Sequence, residues 1–86
     1  MTKRKLPLAT IIWEDAAQYT GYNSLDHEFS PMEIVTCGYL LEKSQRQIVI
    51  ATQLSPGDMQ AKDVHVIPRK YVKKILMTDQ TFEIED

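Results

Sequence analysis

Basic side chains concentrate at two places in this 86-residue sequence, and they are the residues best suited to hold an anion. Four lie in the run PRKYVKK (positions 68–74), and three more form KRK at positions 3–5. Arg69 follows a turn-forming proline and can offer a two-pronged guanidinium fork to a phosphate group. Tyr71 or Tyr22 is placed to stack on a nucleotide base. The other interpretation is that the lysines protect an exposed edge strand from aggregation and that the basic start is disordered.

A long irregular insert, DAAQYTGYNSLDHEFSPM at residues 15–32, separates two segments with β-strand patterns. Long loops in compact domains are usually functional or disordered, and the aromatic residues in this one disfavour disorder. We therefore expect the insert to pack over its own domain or against a neighbouring subunit, where a tyrosine-bearing loop can clamp a ligand. The predicted ligand-binding residues are Tyr19, Tyr22, His27, Phe29, Arg69, Lys70 and Tyr71.

The acidic and histidine residues of the insert form the triplet DHE at positions 26–28. Adjacent residues point in different directions in a strand or a helix, so the triplet is a poor chelate. We predict a short helical turn over residues 25–29, capped by Ser24, in which Leu25 and Phe29 share one face and pin the insert to the domain. The triplet then lies in a solvated turn, and the alternative is that His27 contacts a ligand.

The remaining reactive side chains do not form a catalytic pattern. Glu14 and Asp15 are a carboxylate pair suited to acid–base work or a divalent ion, but no third carboxylate stands at a diagnostic spacing. Cys37 is predicted to be a small buried hydrophobe, and His65 to face solvent. The sequence has no Gly-rich phosphate loop, C-x-x-C, H-E-x-x-H or G-x-S-x-G motif. We predict a protein that is not an enzyme, with no metal and no cofactor.

Composition predicts a single globular domain spanning residues 1–86, with a basic arm at 1–6 and an acidic tail at 79–86. Apolar residues make up 43% and charged residues 26%, and the net charge is −2. Domains that neutralise many phosphates are usually clearly basic, so nucleic acid is a less favoured partner. The single cysteine predicts a reducing, cytoplasmic location. We expect no membrane partner, because no apolar run approaches about 18 residues and no signal-peptide cleavage pattern follows the start.

The pattern of apolar residues predicts an all-β domain. Alternation and β-branched content indicate strands, and Gly38 in the middle of the second one is typical of a sharp bend or a close backbone approach. The three residues RKY allow one 3₁₀ turn before the last strand. The acidic tail is expected to fray or to add a short edge strand. The predicted strands are residues 8–14, 33–43, 47–54, 64–68 and 72–78. Five short strands with one bent strand describe a small five-stranded barrel of the Sm-like or Src-homology-3-like kind.

Four short motifs resemble a group of small β-barrel proteins encoded by bacteriophages and prophages. The group pattern is W-x-D-A, then V-x-x-G-[WY]-L, then V-x-[IVL]-A, then I-P-x-x-x-[IV]-x-x-I. The matching positions here are Trp13, Asp15, Ala16, Val35, Gly38, Tyr39, Leu40, Val49, Ile50, Ala51, Ile67, Pro68, Val72 and Ile75. The resemblance covers about residues 8–78, and its motifs are structural. It implies a barrel fold and a phage source, and it brings no catalytic residues.

The function expected from these observations is non-enzymatic binding by a homo-oligomer. The aromatic residues of the insert and the basic pair Arg69–Lys70 are predicted to form a pocket, between subunits or within one. That pocket would sequester a small phosphorylated ligand such as a nucleotide signal of host anti-phage defence. Three alternatives remain. They are a protein-interaction adaptor that docks a host protein, an Sm-like RNA- or DNA-binding protein, and a structural part of a virion or a regulator. The same small barrels host many roles, so fold alone does not decide among them.

Overall fold

The computed structural model describes residues 3–15 and 21–85 of the chain. Five β-strands and two one-turn 3₁₀ segments make up this part of the chain. In chain order they are β1 (Lys3–Asp15), β2 (Met32–Lys43), β3 (Gln47–Ser55), the first 3₁₀ turn (Pro56–Asp58), β4 (Gln60–Pro68), the second 3₁₀ turn (Arg69–Tyr71) and β5 (Val72–Glu85). The predicted all-β class and the predicted 3₁₀ turn at RKY are confirmed. None of the helical segments in these ranges is long and apolar enough to cross a bilayer.

All five strands belong to one antiparallel sheet in the order β4-β3-β2-β1-β5. The sheet is barrel-like but is not closed, because within the described residues no backbone ladder joins the two outermost strands, β4 and β5. Those two strands follow each other along the chain, connected only by the second 3₁₀ turn. This turn therefore lies at one end of the opening between the edges of the sheet.

The core lies on one face of this sheet, which we call the inner face. Alternate residues point to opposite faces of a strand, so the register decides which side chains meet there. Ile11, Ile48, Ile50 and Ile67 are fully buried, and Trp13, Val72 and Ile75 pack around the cluster that they form with Ala9 and Leu40. Each fully buried isoleucine contributes roughly 1.5–3 kcal/mol through the removal of apolar surface from water.

Gly38 lies where β2 passes closest to β3. A Cβ atom built at this position would overlap the carbonyl oxygen of Ala51 on the neighbouring strand. A few residues further on, the register between β2 and β3 shifts at Leu41, which marks a β-bulge. A bulge increases the local twist and bends its strand. The predicted close approach at Gly38 is confirmed, and β2 curls the sheet at this point.

Residues 3–7 of β1 pair with residues 81–85 of β5, and we call this pair of segments the terminal ribbon. The pairing corrects the expected disordered basic start. Lys3 pairs with Glu85 and Leu6 with Phe82, so that β1 begins five residues earlier than predicted and β5 continues to Glu85. Lys3 also forms an ion pair with Glu83 at 3.5 Å. The basic residues of the arm stand opposite the acidic residues of the tail, and opposite charges across a ladder favour the pairing.

The ladder between β1 and β5 is also irregular where the terminal ribbon meets the rest of β1. The register between β1 and β5 shifts between Pro7 and Ala9, and the hydroxyl of Thr78 donates a 3.0 Å hydrogen bond to the Leu8 carbonyl oxygen. The molecule is 59 Å long and about 22 Å across, with a Cα radius of gyration of 16.5 Å. A compact chain of this length would have a radius of gyration of about 12 Å. The domain is therefore elongated.

The loop predicted at residues 55–63 is shorter in the structure. β4 begins at Gln60 instead of residue 64, so that the connection from β3 contains only the first 3₁₀ turn and Met59. Met59 adopts a left-handed conformation with φ of 52° and donates its backbone N–H to the Pro56 carbonyl oxygen. The Pro-Gly signal marked the turn correctly. The first residues of β4 were not predicted as a strand, because they lack apolar alternation. Both faces of β4 are exposed up to Val66.

Candidate functional site

The turn between β2 and β3 is organised by Ser44. Its backbone N–H donates to the Gln47 carbonyl oxygen at 3.1 Å. Its hydroxyl oxygen accepts hydrogen bonds from the backbone N–H groups of Arg46 and Gln47, both at 3.2 Å, and its hydroxyl donates to Glu42 at 3.0 Å. A serine side chain that satisfies nearby backbone groups fixes a turn in one conformation. The basic residues that flank Ser44, Lys43 and Arg46, are therefore held in place at their backbones.

The second 3₁₀ turn is fastened to the β2–β3 turn through Arg69. The backbone N–H of Arg69 donates to the Arg46 carbonyl oxygen at 3.0 Å. Its guanidinium Nη1 donates to the Ser44 carbonyl oxygen at 3.2 Å. A guanidinium has five N–H donors, so this bond orients the fork and leaves donors for another acceptor. Pro68 pairs with Gln47 in the register of β3 and β4. The next residue, Arg69, therefore lies beside the β2–β3 turn.

An open cleft of about 490 Å³ lies between the two turns, lined by Lys43, Ser44, Gln45 and Arg69. Arg46 belongs to the same turn, and Lys70 follows Arg69 in the second 3₁₀ turn. Two basic residues, Lys43 and Arg69, thus line the cleft, and two more adjoin it along the chain. Glu42 is an acidic neighbour in contact with Ser44. Positive charges on fixed backbone are suited to bind phosphate or carboxylate groups. We call this group of residues the basic cleft.

Tyr71 faces a different part of the molecule from Arg69. Lys70 Nζ lies 5.1 Å from the centre of the Tyr71 ring, a cation–π distance. Tyr71 also lines a smaller cleft of about 260 Å³ with Glu14, Asp15 and Pro31, the residues at the two ends of the insert. The predicted trio Arg69–Lys70–Tyr71 therefore reaches two clefts. Arg69 contacts the β2–β3 turn, and Tyr71 lines the cleft at the base of the insert.

Tyr22, His27 and Phe29, the described insert residues that were predicted to bind a ligand, are not among the residues that line the basic cleft. Tyr19 lies outside the described residues, and Tyr22 is fully exposed. The rings of His27 and Phe29 make an edge-to-face contact with their centres 4.8 Å apart. Within a single chain, the structure brings His27 together with Phe29 and Lys70 together with Tyr71.

The predicted turn capped by Ser24 is found in the insert, but it does not extend into a helical turn over residues 25–29. The hydroxyl of Ser24 does accept the Asp26 backbone N–H at 3.2 Å, and His27 N–H donates to the Ser24 carbonyl oxygen at 3.0 Å. This is a single turn that does not propagate, since too few residues follow it before Pro31 to offset the cost of nucleating a helix. Leu25 is 99% exposed, so it does not pin the insert to the sheet.

Cys37 is exposed, which corrects its predicted burial. Its Sγ atom lies 3.3 Å from Oγ1 of Thr10 on β1, on the face of the sheet opposite the core. Both alternating sets of β2 are apolar, so the sequence did not show which set faces inward. Thr36 and Leu40 are the buried ones. The predicted exposure of His65 is confirmed.

Lys73 is engaged by two carboxylates and does not join the basic cleft. Its Nζ lies 3.0 Å from Glu33 and 3.4 Å from Glu14. The hydrogen bond to Glu33 and the negative charge of that residue, followed by the contact with Glu14, raise the pKa of Lys73 above its ordinary value of 10.5. The carboxylate of Glu14 thus belongs to an ion-pair group. No cluster of three or more potential metal ligands occurs in residues 3–15 and 21–85.

Lys43 and Arg46 are members of the basic cleft that the sequence reasoning missed. The signal was the segment KSQR, in which two cations flank a polar turn. Recognising it required the register of β3 with β4, which places Gln47 opposite Pro68 and so brings this turn beside Arg69. The basic pair Lys43 and Arg46 could be recognised as part of a site only once the neighbouring turn with Arg69 was known.

Comparison with known proteins identifies no relative. No protein-family model matches the sequence, and neither the curated proteins nor the solved structures give a significant match. The resemblance to small phage-encoded barrels therefore stays a prediction, and the geometry of the chain itself carries the functional argument.

Proposed function

We propose that this chain is a non-enzymatic binding protein that holds a small phosphorylated ligand, such as a nucleotide signal, in the basic cleft. The observation that carries the proposal is the position of Arg69. Its guanidinium is fixed by the Ser44 carbonyl oxygen beside a cleft that Lys43 also lines. A pre-oriented guanidinium loses little conformational freedom when a phosphate binds, which improves affinity.

The local charge supports an anionic ligand although the whole chain carries a net charge of −2. Two of the other lysines are occupied by carboxylates, Lys3 by Glu83 and Lys73 by Glu14 and Glu33. The basic residues of the two turns thus form a separate positive region. A small patch of this kind matches a ligand with one or a few phosphates better than a long polyanion, which needs many contacts along its backbone.

The aromatic part of the proposed pocket comes from the insert. Tyr22 projects fully into solvent, and Phe29 is 51% exposed. In an assembly of identical subunits, these rings can cover the basic cleft of a neighbour and stack on a base. We therefore propose that the protein works as a homo-oligomer. Because its motifs imply a phage source, we propose that it acts in the bacterial cytoplasm and sequesters a host defence nucleotide.

Isothermal titration calorimetry against a panel of cyclic oligonucleotides tests the ligand. We expect one member to bind, and Arg69→Ala to weaken its binding at least tenfold, since one charge-assisted bidentate contact contributes about 1.5–3 kcal/mol. Lys62→Ala is the matched control, because it removes one positive charge from β4, outside the two turns that form the cleft. If no nucleotide of the panel binds, the proposal fails. If Lys62→Ala weakens binding as much as Arg69→Ala, the site is not the basic cleft.

A second candidate function is that of a protein-interaction module, and the exposed insert favours it. Tyr22 and Leu25 expose apolar side chains completely on a loop carried by a rigid sheet. Exposed aromatic and aliphatic residues are common anchors of protein interfaces. The test is affinity capture of a host protein by the wild type, with Leu25→Ser as the variant. A defined partner lost on this substitution, combined with no nucleotide binding, would favour this function over the first.

A further inference from the structure

A second apolar surface covers the side of the sheet opposite the core, and we call it the outer face. In the register, Val35 of β2 stands opposite Ile12 of β1, and Thr10 stands between Cys37 and Leu76. The contact between Thr10 Oγ1 and Cys37 Sγ shows that these side chains point to the same side. The apolar members used in this argument are Leu8, Ile12, Val35, Tyr39, Leu76 and Phe82.

The outer face continues across the sheet towards the terminal ribbon. Leu8 pairs with Tyr39, and the ring of Tyr39 meets that of Phe82 edge to face with centres 6.0 Å apart. Val35 is 58%, Leu76 41% and Phe82 39% exposed. An antiparallel sheet that presents one face to water normally alternates apolar and polar residues. Here both faces are apolar, which is typical of a sheet that is covered on both sides.

The chain exposes more surface than a compact monomer of its mass would. Its accessible surface amounts to 6626 Å². A compact monomer of 9.9 kDa would expose about 5,200 Å², so the surplus is on the order of 1,400 Å². A standard protein interface buries about 800 Å² on each partner. The surplus comes from the elongated shape and the exposed insert together with the outer face, and a contact of standard size is smaller than it.

The charges at one end of the outer face are balanced. Glu14, Glu33 and Lys73 form their ion-pair group at this end, and Lys74 stands opposite Ile12 in the register. Two lysines and two glutamates give no net charge at this end. A two-fold contact places the same surface on both partners, so a surface of one charge sign would repel itself and a balanced one does not.

We propose that the outer face packs against the outer face of a second copy of this chain, forming a two-fold dimer of stacked sheets. Facing sheets pack about 10 Å apart with interdigitated side chains, as the exposed Val35, Leu76 and Phe82 allow. This inference rests on one part of the proposed function, the homo-oligomer, and does not depend on the phosphorylated ligand. None of the residues that line the basic cleft belongs to the outer face, so this dimer leaves the cleft open.

Sedimentation velocity over a roughly hundredfold range of protein concentration tests the dimer, because a dimer forms by mass action. We expect the wild type to sediment as a dimer and Val35→Glu to sediment as a monomer. Leu25→Glu is the matched control, since it places the same charge at an exposed apolar position of the insert, and it should remain a dimer. Circular dichroism of Val35→Glu should keep its β-sheet spectrum, because Val35 is largely exposed in the single chain.

Alkylation of Cys37 gives a second, independent measurement. Cys37 lies on the outer face, so its alkylation in the wild type should slow at least tenfold as the dimer forms. In Val35→Glu, the rate should not depend on protein concentration. A wild type that is monomeric at every concentration would overturn the proposal, as would a Val35→Glu variant that assembles like the wild type.

Calorimetry on the same variants keeps this inference separate from the proposed function. A monomeric Val35→Glu variant with nucleotide binding retained supports the dimer and shows that the ligand site is complete in one chain. A wild-type dimer that binds no nucleotide supports the dimer and contradicts the ligand.

Discussion

The indole N–H of Trp13 donates a 3.1 Å hydrogen bond to Oγ1 of Thr36, and this pair joins β1 to β2 on the inner face. Thr36 is the one buried polar residue in the described part of the chain, and 7% of its surface is exposed. A buried indole N–H without an acceptor is costly, so the threonine hydroxyl meets a specific requirement of Trp13.

Replacing Thr36 should therefore destabilise the fold through Trp13. We expect Thr36→Val to lower the free energy of unfolding by about 1–3 kcal/mol, because the shape is kept while a polar group is left unsatisfied. Thr36→Ser keeps the hydroxyl and should lose less. Trp13 is the sole tryptophan, so urea unfolding followed by its fluorescence reports the difference. Equal stability of Thr36→Val and the wild type would show that this hydrogen bond is unimportant.

The close approach of β2 and β3 makes Gly38 sensitive to a single added methyl group. Gly38→Ala should destabilise the protein by at least about 1–3 kcal/mol, the usual cost of overpacking, because the new Cβ would overlap the Ala51 carbonyl oxygen. Gly57→Ala is the control, since nothing lies within 4 Å of its added Cβ. Thermal melts of both variants suffice. Similar melting temperatures for the two would contradict the close approach.

The inner-face isoleucines should carry most of the stability. Ile50→Ala should lower the free energy of unfolding by about 2–5 kcal/mol through lost burial and the cavity left behind. Val66→Ala shortens a β-branched residue on neighbouring β4 that is 58% exposed, and it should change stability by less than about 1 kcal/mol. Chemical denaturation measures both. A larger loss for Val66→Ala would mean that the outer side of β4 is the more important core.

The ion-pair group around Lys73 should give a pH dependence at alkaline pH. The pKa of Lys73 is raised in the folded state, chiefly by Glu33, so the stabilisation is complete below its unfolded pKa of 10.5 and is lost as pH rises through the folded value. The wild type should melt at a higher temperature than Lys73→Met at neutral pH, and the two should converge above the folded pKa. Lys74→Met is the control. A constant difference at all pH values would assign the effect of Lys73→Met to packing.

The β2–β3 turn should lose its fixed shape without the hydroxyl of Ser44. Ser44→Ala removes a group that bonds Arg46, Gln47 and Glu42, and we expect a loss of about 1 kcal/mol in stability. Amide hydrogen exchange at Arg46 and Gln47 should become faster. Ser55→Ala, at the other end of β3, is the control and should leave these amides unchanged. Unchanged exchange in Ser44→Ala would show that the backbone alone holds this turn.

Local signals predicted the strands and turns of this fold well. The β-branched segments, the Pro-Gly turn and the three-residue link at RKY each have a local physical cause, and all of them are found. Gly38 was recognisable because a glycine inside a strand has few other uses. Half of the basic cleft was predicted from the sequence, because the proline before Arg69 marked a turn that presents this residue.

Features that depend on distant partners were not predictable. The start of β1 forms a strand only because the acidic tail lies beside it, some eighty residues away in sequence. The exposure of Cys37 depends on which of two apolar sets of β2 meets the core, and local alternation is the same for both. The helical extension predicted in the insert is absent for a different reason, since the cap at Ser24 starts a turn but does not supply the tertiary contacts that most short helices require.

The pairing of Lys3 with Glu85 also offers an engineering route. The two residues are neighbours across an antiparallel ladder, where Cα atoms lie only about 4.5–5.5 Å apart. A short glycine linker can therefore connect Glu85 to Lys3, and the chain can be opened in the exposed insert near Asn23. Such a circular permutant would keep every strand pair of the sheet, and it would turn the insert into two tails that can be shortened independently.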